Sequence, residues 1–525
     1  MFGIRHRRNV NGRNYLSSLR SQDIPSYCGS SWAIATAASL SDRFRYQTNG
    51  KWPTHELAAQ VLINCDGDNN GCSGGDPYYA YKYIYDNGIP DESCLPLTGM
   101  EERCTKLNIC RSCTDNGSCT PVYDYTNYYI TSYGRASSEF EMKYQIYKYG
   151  SITCNIRVTN NFKNYYHGIF TDKSGSTLYT HTVSVIGWGT EVGIPYWIVR
   201  NTWGSYWGED GFARIQRGYN LLGIESDCSW GQPEFFSNST KKKTLSKSSP
   251  TITIRNFVSC GYPTDWTLNQ AVIKSPLPIT YVNVSALPTQ YDIRSLYGIN
   301  YATPNKNQHS PQFCNSCWAQ ATAAALADRL NIVNGGNWPM IELSSQMILN
   351  CAVGSCQGGD AGDAYRLAYS VGIPDRTCQA YEGKKKNCDK LGICMDCNQD
   401  YCWAVTSYRR VFVEEYGEVQ GVDSMKAEIF ARGPITCFMV MTEEFMNYDG
   451  GIFIEHDHSY KGGHIVEVAG WGMNQITGQR YWIARNNWGN DWGENGWFRI
   501  NMGGSNLMIE SSCSWGVPSL QDNVK

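Results

Sequence analysis

No stretch of this chain stays apolar for the roughly 20 residues that a bilayer-crossing helix needs. Neither sign of charge dominates: 45 Lys and Arg face 48 Asp and Glu, a net charge of −3. That balance argues against nucleic acid or an anionic membrane as partner. The opening residues, MFGIRHRRNVNGRNYLSS, lack the apolar core of a secretory signal. Cysteine, by contrast, is abundant, with 22 in 525 residues. Such a number is unusual in a reducing cytosol and reads as a disulfide framework in an oxidising compartment. Glycosylation sequons at Asn116, Asn238 and Asn283 fit that compartment. The expectation is a lysosomal or secreted (extracellular) protein whose sequence begins downstream of its true start. A reduced cytosolic protein is the alternative.

The chain is too long for one ordinary core, and self-comparison shows why. Cys28, Ser31 and Trp32 in SYCGSSWAI match Cys314, Cys317 and Trp318 in QFCNSCWAQ. DNGIPDESC (86–94) matches SVGIPDRTC (370–378), HTVSVIGWG (181–189) matches HIVEVAGWG (464–472), and YWIVRNTWG (196–204) matches YWIARNNWG (481–489). The chain is a tandem duplication, expected to divide into domains 1–236 and 287–525 around a connection, 237–286. Within that connection SNSTKKKTLSKSSPT (237–251) is polar and cannot bury a core, so it is expected to be a mobile linker.

SWAIATAASLSDRF and CWAQATAAALADRL are Ala-rich with helical apolar spacing, so position 31 or 317 opens a helix. HTVSVIGWG and YWIVRN read as strands. A helical first half and a strand-rich second half predict an α+β unit of two lobes.

In repeat two a cysteine begins a helix, whose N-terminal partial charge favours thiolate. A histidine on a strand, His464, can pair with it, and Asn486 can hold the imidazole by its other nitrogen. Gln308 stands nine residues before Cys317, where its amide can join the Cys317 backbone N–H in stabilising an oxyanion. Cys, His and Asn in this order, with Trp directly after the Cys, match the papain-type signature.

NQHSPQFCNSCWA (307–319), the GIPD turns, the Cys-dense middle and RNNWGNDWGENGWFRI (485–500) resemble the papain family of cysteine peptidases, and within it the cathepsin X group, also called cathepsin Z. The resemblance covers nearly all of both repeats. It implies tandem two-lobed domains, each with a helical lobe and a β-barrel-like lobe, and an active site between the lobes. It also implies carboxypeptidase activity, because that group carries a short insertion with a carboxylate-binding His. Here the insertion reads His309-Ser310-Pro311, and a cationic or donor side chain there can pair with a terminal carboxylate. Asn315 stands where the family has Gly. Asn tolerates left-handed backbone better than most residues, so the turn is expected to survive.

Repeat one keeps Gln22, His181 and Asn201 but has Ser31 for the nucleophile and Asp23 for the carboxylate-binding His. A hydroxyl is too weak an acid for this machinery to ionise, so repeat one is expected to be a degenerate site. Each repeat holds ten matching cysteines, enough for five bridges; the C-x2-C pairs 110/113 and 394/397 also fit zinc. Two cysteines remain, Cys317 and Cys260. Cathepsin X-type enzymes have a short propeptide Cys bonded to the catalytic Cys, and SCGYP (259–263) is similar, so Cys260 is a candidate inhibitory latch; a free or intermolecular Cys260 is the alternative. The combined reading is a cysteine-type carboxypeptidase acting through the second domain on substrates with a free C-terminus. It needs no cofactor or metal, and its oligomeric state is not indicated. An endopeptidase, or a largely non-catalytic binding tandem, are the alternatives.

Overall fold

The structure is a computed structural model that describes residues 5–6, 13–173, 179–234 and 259–521. The expected linker, 237–251, and the sequon at Asn238 lie outside the described residues. Each repeat is built around one long helix, Ser31–Gln47 and Cys317–Val333. Both helices are buried on every side over most of their length, as expected of a helix at the centre of a fold rather than on its surface. Their alanines let a strand pack close. In repeat two Ile465 packs in one core with Ala319, Ala323 and Ala327 of the helix, whereas Val466 and Val468 belong to the core of the sheet. The strand Gly462–Met473 is therefore covered on both faces, which explains its nearly continuous apolar run.

The sheet of repeat one runs in the order Ile130–Ala136, Cys228–Pro233, Ile152–Val158, Tyr179–Glu191, Ile194–Arg200, Phe212–Gln216, Ile169–Phe170. Repeat two follows the same order from Arg410–Val419 to Ile452–Phe453, with Ile373–Pro374 added before the first strand. All neighbours along these paths are antiparallel except the last pair of each sheet, which is parallel. The architecture is α+β as expected, with one correction. The barrel-like lobe is an open, mixed sheet, because a two-residue parallel strand ends each path and does not pair back to the first strand among the described residues.

Eleven disulfides use all 22 cysteines. Five lie within each repeat, and the members of each C-x2-C pair belong to different bridges, so neither pair is arranged as a zinc site. The eleventh joins Cys260 to Cys317.

The two repeats pack against each other through buried polar contacts. Arg376 Nη2 of repeat two lies 2.6 Å from Glu92 Oε1 of repeat one, and its Nη1 lies 3.2 Å from Glu342 Oε1. Glu92 also pairs with Arg20 of its own repeat, at 3.0 Å.

Candidate active site

The helix Cys317–Val333 begins at Cys317, so the sulfur sits at the positive end of the helix. The turn before it is held by Asn315, whose N–H donates to the Cys356 carbonyl at 3.1 Å, as Gly29 donates to Cys72 at 2.9 Å in repeat one. Asn315 fits without the left-handed backbone that had been invoked for it.

The strand Gly462–Met473 brings His464 to this helix end. Cys317 Sγ, Cys260 Sγ and a ring nitrogen of His464 lie within 4.8 Å of one another. His464 Nε2 is 2.7 Å from Asn486 Oδ1. That same oxygen accepts from the Asn487 backbone N–H at 2.8 Å, which fixes the amide with its oxygen toward the ring. An oxygen can only accept, so Nε2 carries the ring hydrogen and Nδ1 presents its lone pair to the sulfurs. Nδ1 is 3.0 Å from Cys260 Sγ. Burial lowers the imidazole pKa to about 4, against a smaller upward effect of the Asn486 hydrogen bond, so the ring is neutral in this form.

Gln308 is held by its backbone N–H, which donates to Asn487 O at 2.8 Å. Both polar atoms of its buried side-chain amide lack a hydrogen-bond partner among the described residues. Such groups are rare in folded proteins, and an unpaired buried amide keeps a donor available for an incoming oxygen. His309 is buried, with its ring stacked on Phe313 at 5.3 Å and on Trp488 at 5.9 Å. Burial first, and then the neighbouring His464, lower its pKa to about 3.

Ser259–Tyr262 lie between the two walls of this cleft. Cys260 N–H and Gly261 N–H donate to Gly463 O on one side, at 3.0 and 3.1 Å; Tyr262 N–H donates to Gly359 O on the other, at 3.1 Å. The segment is thus held by backbone as well as by its disulfide, and it leaves both Cys260 and Cys317 fully buried.

Repeat one assembles the same frame with one difference in the nucleophile's bonding. His181 Nε2 is 2.7 Å from Asn201 Oδ1 and burial lowers the ring's pKa to about 4. Ser31 Oγ accepts from the Thr182 backbone N–H at 3.2 Å. Gln22 Oε1 accepts from Thr202 Oγ1 at 2.8 Å, so its amide is engaged where that of Gln308 is not. Asp23 is buried and its carboxyl is raised well above the usual range, by burial first and then by Asp396. Among the described residues no segment fills this cleft as Ser259–Tyr262 fill the other; it has a volume of about 650 Å³ and is lined by Ser31, His181 and Gly75, among others.

Some working parts escaped the sequence reading. Trp488 covers His464, with ring centroids 5.1 Å apart. Arg485, next to Asn486, reaches Asp328 on the cysteine helix at 2.8 Å and also pairs with Glu467 on the histidine strand. This buried triad ties the Cys, His and Asn elements together. A charged residue inside each apolar pattern was the only signal for it.

The family model for papain family cysteine proteases matches residues 7–232 and again 287–517. Among curated relatives, cathepsin Z of Onchocerca volvulus is 42% identical over 244 residues, covering 45% of this chain and 79% of that protein. Cathepsin B-like cysteine proteinase 4 of Caenorhabditis elegans is 32% identical over 241 residues, covering 42% and 71%. A solved procathepsin B of Trypanosoma congolense is 22% identical, covers 50% of this chain and 87% of that one, and superposes with a TM-score of 0.39. The chain carries two copies of the papain family cysteine protease domain and belongs to that family.

Proposed function

We propose that repeat two (287–525) is a cysteine carboxypeptidase, that repeat one (1–236) is its inactive partner, and that 237–286 contains an internal propeptide. The observation that carries the first claim is the position of His309. It stacks on the same Trp488 ring that covers His464, and His464 lies close enough to add to the lowering of the His309 pKa by burial. The leaving amine must depart beside the imidazole that protonates it. The C-terminal part of a substrate therefore runs past His464 toward His309. A neutral ring there would bind a terminal carboxylate by donating an N–H.

Before that chemistry the Cys260–Cys317 bridge must open. A dithiol of the compartment takes over the bond: its two thiols become a disulfide, and Cys260 and Cys317 are released as thiols. Cys317 then passes its proton to His464 and attacks the scissile carbonyl. Gln308 and the Cys317 backbone N–H hold the oxyanion, and Asn486 keeps the ring oriented. His464 protonates the leaving amine, and water hydrolyses the thioester. The disulfide framework and the cathepsin relatives suit a lysosomal or secreted location.

The inactivity of repeat one rests on Ser31, whose oxygen is turned to Thr182 N–H, and on Asp23, which would repel a carboxylate once ionised. Labelling of Ser31 by a fluorophosphonate would refute it. The main test is a mass-spectrometric digest of one peptide as free acid and as C-terminal amide, after linker cleavage and reduction at mildly acidic pH. Stepwise loss of C-terminal residues from the acid alone, absent in Cys317→Ala, is the expected result. Equal cleavage of both forms would discard His309 as a carboxylate receptor.

A further inference from the structure

The contacts between the repeats obey an approximate two-fold relation. Asn490 N–H donates to Ser93 Oγ at 3.0 Å, and its counterpart Ser205 N–H donates to Thr377 Oγ1, the counterpart of Ser93, also at 3.0 Å. Tyr206 packs on Tyr408, and the equivalent Asp491 feels the charge of Asp124. An interface of this kind uses one surface twice, so a feature seen on one side recurs on the other.

The feature that matters is a disulfide-closed hairpin in each repeat: Arg111–Cys113 with Cys119–Pro121, and Met395–Cys397 with Cys402–Ala404. The repeat-two hairpin reaches across to the cleft of repeat one, and the repeat-one hairpin reaches across to the His309–Pro311 loop of repeat two. The repeat-two hairpin packs Met395 and Cys397 on Ile24, and its tip residues Asn398, Gln399 and Asp400 line the repeat-one cleft together with Ser31 and His181. On the other side Cys113 N–H donates to the carbonyl of His309 at 3.0 Å, and Cys113 Sγ lies 3.4 Å from Pro311 O. Ser310 Oγ donates to Cys94 O at 3.2 Å. The loop proposed to receive the substrate's C-terminus is thus held by the other repeat.

We propose that the repeat-one hairpin Arg111–Pro121 is a specificity element for the site in repeat two. It stands at the leaving-group end of that cleft and limits how many residues can extend beyond the scissile bond. Its tip, Thr114–Ser118, takes the place that Asn398–Asp400 take in repeat one. The inactive repeat is then part of the active site of its neighbour. This rests on repeat two being the working peptidase, but not on His309 binding a carboxylate.

The test uses the full chain, cleaved at the linker and reduced. One variant shortens Thr114–Ser118 to Gly-Gly and keeps the Cys113–Cys119 bridge. A second, Asn116→Trp, enlarges the exposed tip. Mass spectrometry reads the length of C-terminal fragments released from free-acid and amide peptides. The protein as it stands should release only short fragments. The shortened tip should release longer ones, with a rise of about tenfold in their rate of formation, and Asn116→Trp should slow all but the shortest. Fragment lengths unchanged in both variants would overturn the proposal, as would long fragments from the unaltered chain. Loss of the acid-over-amide preference with short fragments retained would sink the His309 reading alone. Absence of any turnover, with Cys317 shown to be free, would remove both.

Discussion

At the scale of single residues, one atom separates the two repeats' nucleophile positions. The frame around Ser31 is otherwise in place: a helix start, an imidazole with its lone pair directed inward, and an Asn holding it at 2.7 Å. Ser31→Cys should therefore create a thiol that passes its proton to His181. Iodoacetamide should alkylate it well below the ordinary thiol pKa of about 8.5. Alkylation at the rate of an unactivated thiol would show that the frame has decayed beyond the nucleophile. Asn486→Ala in repeat two should cut kcat by at least about tenfold and distort its pH profile, because the ring loses the partner that sets its tautomer. An unchanged profile would mean that Trp488 alone orients the ring. Cys317, His464 and Asn486 were legible because each sits in a pattern that declares its element. Trp488 and the Arg485 triad were not, since their work depends on which strands become neighbours, and no local periodicity carries that.

Among the elements, the segment 259–286 differs most from its sequence reading. It looked like a Pro-bearing connection with one suggestive cysteine. It is in fact docked along its length: Val272 N–H donates to Tyr416 O at 2.9 Å, Val272 O accepts from Tyr416 N–H at 2.9 Å, and Glu415 accepts from the N–H groups of Lys274 and Ser275. Composition alone hid this, because backbone pairing across the cleft needs no particular side chains. The disulfide is consequently only one of two restraints. In Cys260→Ser a thiol-directed peptidase probe should label Cys317 without reductant, yet slowly until 259–286 is cut away. Full labelling before any cleavage would show that the backbone contacts restrain nothing. The two central helices and the strands bearing His181 and His464 were read correctly, because burial on all sides or on two faces leaves a composition of its own.

On the scale of the whole molecule, the interface holds carboxyls that resist ionisation. Asp396 is pushed up to about 6 by burial, and faces Asp23, Tyr206 and Lys163. Asp491 is pushed up to about 6 by burial and by Asp124. Each is raised above its unfolded value of about 3.9. The stability tied to the protonated form is thus complete below about pH 4 and is lost as pH rises through 6. Neutral His464, His309 and His181, all lowered by burial, act in the opposite sense and lose their contribution as pH falls below about 6.5. Comparing the unaltered chain with Asp396→Asn/Asp491→Asn isolates the carboxyls. The variant should gain about 1.4 kcal/mol per group at pH 7.5 relative to pH 5, read as a thermal shift. Parallel pH profiles for the two proteins would exclude the interface carboxyls as its cause. Duplication was plain from the sequence, but the crossing hairpins were not, since nothing in a repeat states which surface its twin will cover.

The Glu92–Arg376 pair has a consequence for the history of the chain. The two residues hold equivalent positions, in GIPDES and GIPDRT, yet carry opposite charge. Two copies of the second repeat brought together in the same way would set arginine against arginine, and two of the first glutamate against glutamate. At this point of the interface the duplicates have ceased to be interchangeable, and each carries the charge the other needs. A domain with Ser31 at its helix start is then not dispensable to its twin, because its loss would take Glu92 from Arg376, leave that guanidinium to Glu342 alone and open the flank it covers.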